Sequence, residues 1–235
     1  MSVDRAELLQ YLRQLPELGV QELFLETMTA QEALTMLRQP VSASSALPAS
    51  APRALQVLQQ DASGCVRCRL HESRRTVVFG EGNAQADVMV VGEAPGQEED
   101  RTGRPFVGPA GKLLDLLLLT AGFRREDVYI CNVLKCRPPN NRNPLPDEVA
   151  HCSSFLQGQI DTIAPRALIA VGKFAAQSLL QSEESIGRLR GQIHDYRGTP
   201  LIVTYHPAYL LRSPQATRVA WQDFQLLHQV LDEQS

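Results

Sequence analysis

The chain contains no stretch approaching the roughly 18 consecutive apolar residues of a membrane helix, which excludes a helical span. Its opening, Met1-Ser-Val-Asp-Arg-Ala-Glu, lacks a basic segment followed by an apolar run, so no secretory signal is expected and the address read from it is cytoplasmic. Neither G-x-G-x-x-G nor G-x-x-x-x-G-K-[ST] occurs, which argues against a nucleotide-cofactor loop. Net positive charge is missing too. Lys and Arg number 23 against 26 Asp and Glu, a net −3, which argues against a protein that coats nucleic acid non-specifically. Cysteine is scarce, five in 235 residues. In a cytoplasmic protein, paired thiols more often bind metal than form disulfides.

What is present is unevenly distributed. Residues 1–50 hold three basic and six acidic side chains, the whole of the negative excess. Arg188, Arg190, Arg197, Arg212 and Arg218 gather late in the chain, where a local basic face can neutralise phosphates; a merely solvated surface is the alternative. Leu8, Leu9 and Leu12 have helical spacing, and Thr29-Ala-Gln-Glu32 fits a capping box. A Pro-, Ala- and Ser-rich stretch follows. These signals divide the chain into a helical N-terminal extension over 1–39, a flexible linker over 40–54 and one sizeable domain over 55–235.

Within that domain, Val88–Val91, Val128–Ile130, Ala167–Val171 and Leu201–Thr204 are short, continuous apolar runs rich in β-branched residues. Such runs suit strands buried on both faces of a parallel sheet. Helical patterns lie near 110–121, 146–162, 173–181 and 217–232. The alternation predicts a three-layer α/β/α fold around a central four-stranded parallel sheet. Ligands of such folds bind beyond the carboxyl ends of the strands, and the unusual polar motifs of this sequence fall there.

The loop after the first run reads Gly92-Glu-Ala-Pro-Gly96, then continues through Glu99 to Gly103-Arg-Pro-Phe106-Val-Gly108. Gly92 and Gly96 flank a tight turn whose amides can approach a phosphate or base, and Glu93 stands at the mouth of the crevice; a plain acidic turn is the alternative. Asn132 closes the second strand, where its amide offers one acceptor and two donors to a planar ligand, unless it is a satisfied strand-end residue. Lys135-Cys-Arg-Pro-Pro-Asn140 follows, too proline-rich for helix or sheet, and Cys136 and Cys152 bracket this loop. The last loop, His206-Pro-Ala-Tyr-Leu-Leu-Arg212, sets two leucines in a basic context. They suit a wedge for a base stack, or else a helix start with its leucines in the core. Cys65 and Cys68 form a close pair able to place two thiolates on one metal, with Cys136 and Cys152 as distant partners; Cys131 alternates away from Asn132 and reads as a core thiol. Spacing alone leaves an iron–sulfur cluster and a Cys₄ zinc site both open.

Taken together, Gly92-Glu-Ala-Pro-Gly96, Gly103-Arg-Pro-Phe-Val-Gly108, Asn132, Lys135-Cys-Arg-Pro-Pro-Asn140 and His206-Pro-Ala-Tyr-Leu-Leu-Arg212 resemble the family 4 uracil-DNA glycosylases. These are iron–sulfur enzymes of bacteria and archaea, and the resemblance covers about residues 60–230. It implies excision of uracil from DNA by a cytoplasmic bacterial enzyme, a monomer without nucleotide cofactor, with a [4Fe-4S] cluster on Cys65, Cys68, Cys136 and Cys152 and zinc as the alternative. It further implies a uracil pocket of Gly92, Gly96, Glu99, Phe106 and Asn132. In it Phe106 stacks on the flipped ring, Asn132 pairs with its edge and Glu99 crowds C5 against thymine. His206 would donate to uracil O2, and Glu93 would orient water or stabilise the cationic sugar. Leu210, with Leu211 as alternative, would fill the gap left by the base, and Arg212 would contact phosphate. An aspartate found in other branches is here Ala94, which leaves the water-activating role of Glu93 open. Lys135 reads as structural or phosphate-facing, so Schiff-base lyase chemistry is not expected. Two rivals remain: a sister branch that traps the sugar covalently, whose histidine-containing insert is absent from 140–146, and a non-catalytic metal-stapled nucleic-acid-binding domain. No partner is assigned to the N-terminal extension.

Overall fold

The computed structural model describes residues 51–233. The helices expected over 3–14 and from Thr29, and the linker up to residue 50, lie outside the described residues. The last four residues of the expected linker do not continue it. They open α1 (Ala51–Ser63), whose Ala51, Leu55 and Ala62 are buried at helical spacing. Its preceding Ala/Ser/Pro composition masked the apolar stripe that starts there.

Six strands follow: β1 (Glu81–Gly82), β2 (Val88–Gly92), β3 (Tyr129–Asn132), β4 (Ala167–Val171), β5 (Ile193–Tyr196) and β6 (Thr199–Thr204). Their order is β1-β3-β2-β4-β6-β5. The central four pair in parallel, as expected from their unbroken apolar runs, with Val90 opposite both Ile130 and Ile169, and Ile169 opposite Ile202. The sheet as a whole is mixed, because β1 and β5 pair antiparallel at the two edges. Two residues of β1 and the half-exposed Ile-His-Asp-Tyr of β5 carry too little apolar signal to be read as strands.

Period-two alternation gives each face its own core. Val88, Val90, Ile130, Ile169 and Ile202 meet the leucines of α3 (Pro109–Thr120) and Phe224 and Leu227 of α8 (Thr217–Glu233). Met89, Val91, Leu168, Ala170 and Val203 face Phe155 and Ile160 of α4 (Pro146–Ile163) and Ala175 of α5 (Lys173–Leu180). Prolines at the first position start α3 and α4, where a missing N–H is no loss. Short helices α2 (Gln97–Thr102), α6 (Ile186–Leu189) and α7 (Pro207–Arg212) complete the chain. Among the described residues no helix is long and apolar enough to cross a membrane.

Candidate active site

Parallel pairing delivers the carboxyl ends of β2 and β3 together, with Gly92 opposite Asn132, while β6 ends at Thr204 two residues before His206. Gly92 is glycine for a reason of space. A β-carbon there would collide with Asn132 Oδ1 and lie 2.5 Å from Phe106 Cζ, so the amide, the aromatic ring and bare backbone converge on one spot.

Asn132 is 1% exposed, and its Oδ1 is a buried acceptor without a hydrogen-bond partner. An unmet buried polar atom costs about 1–3 kcal/mol.

Phe106 holds a left-handed backbone, φ +49°, which a bulky residue adopts only under restraint. The restraints are explicit. Arg125 donates to the carbonyl of Phe106 (3.1 Å) and of Pro105 (2.5 Å) while paired with Asp115 at 2.7 Å. Glu99 Oε1 accepts from the amides of Val107 and Gly108, both at 2.9 Å. Gly111 leaves room for the Phe106 carbonyl at the start of α3. The ring lies 5.8 Å from that of His206, tilted by 32°.

His206 caps α7. Its Nδ1 accepts from the Ala208 amide at 3.1 Å, which leaves the ring proton on Nε2. Burial, reinforced by the Arg212 charge, pushes its pKa down to about 4, so the imidazole is neutral at physiological pH. Gly172, at φ +99°, gives it room; a β-carbon there would come within 2.9 Å of His206 Cβ. Glu93 is half-buried, and desolvation raises its pKa to about 7.

The leucines behave otherwise than expected of a wedge. Leu210 is 1% exposed and belongs to the core against α3, so it is not free to enter a base stack; Pro207 and the His206 cap make this segment an amphipathic helix, with its apolar side inward. Leu211 is half-buried against the same core, and Arg212 is exposed. The large side chain that α7 turns outward is Tyr209, 40% exposed and 5.0 Å from the Tyr205 ring. Neither Tyr209 nor Arg125 was singled out from sequence. An aromatic at the exposed position of a one-turn repeat was a usable signal for the first, whereas nothing local announces the second. Lys135 is buried, 1% exposed, which excludes the phosphate-facing reading and leaves the structural one.

Cys65 and Cys68, from the segment after α1, line one cavity with Cys136, which follows β3, and Cys152 of α4. All are free thiols. Donors and cations line the same cavity: Arg74 Nη1 donates to Cys136 Sγ at 3.3 Å, the backbone N–H of Lys135 donates to Cys152 Sγ at 3.3 Å, and Arg67 adds to the lining. Burial pushes the Cys136 thiol up to about 11 and Cys152 upward, a penalty on thiolates that a bound cationic metal reverses. Cys131 stays apart, wholly buried in the sheet core as expected.

This geometry has relatives. The family profile described as "Uracil DNA glycosylase superfamily" matches residues 79–225. A "Type-4 uracil-DNA glycosylase" of Thermotoga maritima is 46% identical over 175 residues, covering 73% of this chain and 91% of its own. Proteins of the same name from Archaeoglobus fulgidus and Saccharolobus solfataricus are 42% and 41% identical, covering 72% and 75% of this chain and 89% and 86% of their own. The strands, the orphaned amide and the sequence similarity thus converge on one statement: the chain belongs to the uracil-DNA glycosylase superfamily.

Proposed function

We propose that the protein flips uracil out of DNA and hydrolyses its N-glycosidic bond, leaving an abasic site for base-excision repair. The observation that carries this reading is the unpartnered Asn132 Oδ1 beside the Phe106 ring. Uracil supplies the missing donor through N3–H and accepts from the amide through O4. Cytosine presents an acceptor at N3 and a donor at N4, so both contacts would be mispaired at about 1–3 kcal/mol each. Phe106 supplies the stacking face that an extruded base needs. Glu99, whose carboxylate secures the Phe106 loop, forms the wall toward C5 with Gly96 behind it. Asn132→Ala is expected to reduce kcat/KM on uracil-containing DNA about 10–100-fold, from one to two lost contacts. Single-turnover rates on an oligonucleotide with one uracil check this; an undiminished rate would remove Asn132 from base reading.

Cleavage breaks C1′–N1, leaving its electron pair on the uracil, delocalised to O2, and positive charge on the sugar. The neutral His206, with its proton on Nε2, suits donation to O2 as that oxygen becomes anionic. Water adds its oxygen to C1′, and its proton passes to Glu93, the carboxylate in the crevice; ionised, the same group stabilises the cationic sugar. Because Glu93 titrates near 7, it is protonated and inactive below that pH and active above it. kcat/KM is therefore expected to rise through about pH 7 to a plateau, with the rise lost in Glu93→Gln; an unchanged profile in that variant would exclude Glu93. With its folded-state pKa raised, the ionised group also weakens the fold. That penalty grows from about pH 4.5 and is complete above 7, so Glu93→Gln should melt higher than wild type at pH 8 and alike at pH 4.

On the DNA side, Tyr209 and Leu211 replace Leu210 as the candidates to fill the gap left by the base, with Arg212 on phosphate. Cys65, Cys68, Cys136 and Cys152 would hold a [4Fe-4S] cluster, whose role here is to fix the chain before β1 to the loop after β3. Among the described residues no three His, Cys, Asp or Glu converge as around a single ion. Four thiols spread round one cavity suit a polynuclear group that spans them. The decisive assay for the activity is an alkali-labile break, with free uracil, in single-uracil DNA; a denaturant-resistant complex would instead favour the covalent rival.

A further inference from the structure

Lys135 is a buried cation with no carboxylate. Its Nζ donates to the Asn132 backbone carbonyl at 2.7 Å and to Gln159 Oε1 at 2.5 Å, with the Phe79 ring 5.9 Å away; no acid pairs with it among the described residues. Gln159 is oriented for this contact alone. Its Nε2 donates to the Phe79 carbonyl at 2.9 Å and to Tyr129 Oη at 3.1 Å, so its oxygen must face the ammonium. An ammonium held by dipoles and the buried Cys131 thiol in a dry interior is costly, and the cost is offset when an anion lies close by.

The neighbouring cavity is the place for such an anion. Lys135 lines it together with the four cysteines, and its amide binds Cys152 Sγ. Four thiolates on a metal centre would carry net negative charge that one buried cation offsets in part, while the same cation donates to the backbone carbonyl of Asn132, whose Oδ1 is unpartnered.

We propose that Lys135 is the counter-ion of the cysteine-held centre and the positioning residue that ties Asn132 to it. The proposal rests on reading the four cysteines as ligands of an anionic metal–thiolate group. It gives the centre a route to the base-reading site that runs through one side chain, so that disturbing the centre loosens the Asn132 peptide without touching His206 or Glu93.

The test compares full-length wild type with Lys135→Met, which keeps length and removes charge, and Gln159→Glu, which gives the ammonium a nearer anion at the same position. Metal release to a chelator is expected to be about 10-fold or more faster in both variants, the scale of losing an outer-shell partner. The reduction potential should move to more negative values in both, since less positive charge then favours the added electron. A purely structural lysine would leave the potential unmoved. Folded, fully loaded variants with wild-type release rate and potential would overturn the proposal, and if Lys135→Met does not fold, Gln159→Glu decides alone. Wild type holding zinc, without iron and sulfide, would sink the iron–sulfur reading only; chelator release would still judge Lys135.

Discussion

Replacing His206 by alanine is expected to lower kcat for uracil release about 10²–10³-fold, the usual effect of removing one donor to a developing oxyanion, with little change in KM. Three observations support the proposal that the residue is a donor and not a base. Its Nδ1 is already an acceptor for the Ala208 amide, so the mobile proton sits on Nε2. Its pKa of about 4, set mainly by burial, keeps that ring neutral throughout the working range. It stands beside the Phe106 ring, where a stacked base would present its oxygen. A neutral donor strengthens its bond as O2 gains charge and carries no penalty of ionisation in the ground state. The pH profile separates this role from that of Glu93: the rise near pH 7 should survive in His206→Ala, at reduced amplitude, because Glu93 alone produces it. A fall in KM-controlled binding with unchanged kcat would assign His206 to substrate capture instead.

The second large effect concerns stability. Cys136→Ser is expected to destabilise the fold by about 4 kcal/mol, the range reserved for losing a metal or a comparable clamp. At about 2–4 °C per kcal/mol for a domain of this size, the melting temperature should fall by roughly 8–16 °C. The reason is topological. Cys65 and Cys68 lie before β1, Cys136 follows β3, and Cys152 sits on α4, so a shared centre joins three segments that the sheet does not hold directly. Breaking it frees the proline-rich loop and removes the partner charge for Lys135. The proposed catalytic groups Glu93 and His206 belong to other loops, so kcat per folded molecule should stay within a few-fold of wild type. Thermal unfolding, together with activity normalised to folded protein, checks this. A stable variant with a collapsed kcat would move the centre from scaffold to chemistry.

Much of this was legible in the chain because burial on both faces leaves a plain trace. The runs 88–91, 167–171 and 201–204 are continuous and β-branched, and they became three of the four parallel strands. The edge strands left no such trace, one being two residues long and the other polar at alternate positions. At the site, Gly92, Asn132 and His206 stood out because each is chemically odd for the end of an apolar strand. The leucine pair did not resolve itself. Leu210-Leu211 beside Arg212 has the same composition as a wedge and as an amphipathic turn, and only the packing of Leu210 under α3 separates them. Lys135 stayed open between a structural and a phosphate-facing reading for a related reason: a lysine in a loop is usually solvated, and its partners here include a backbone carbonyl, that of Asn132, and Gln159, a residue 24 positions away. The left-handed turn at Phe106, and the Arg125 that holds it, depend on backbone angles and long-range pairing that no local pattern encodes.

The central claim is that the Asn132 amide, whose Oδ1 is unpartnered at the end of β3, selects uracil over cytosine for excision. The direct measurement is release of free base from three oligonucleotides identical but for uracil, cytosine or thymine at one position. Free uracil and a matching abasic site are expected from the first, with cytosine release lower by about 5-fold or more for each mispaired contact, and with thymine, which offers Asn132 the same edge as uracil, held back by the Glu99 wall at C5. Equal release of cytosine, or no free base from any of the three, would contradict it.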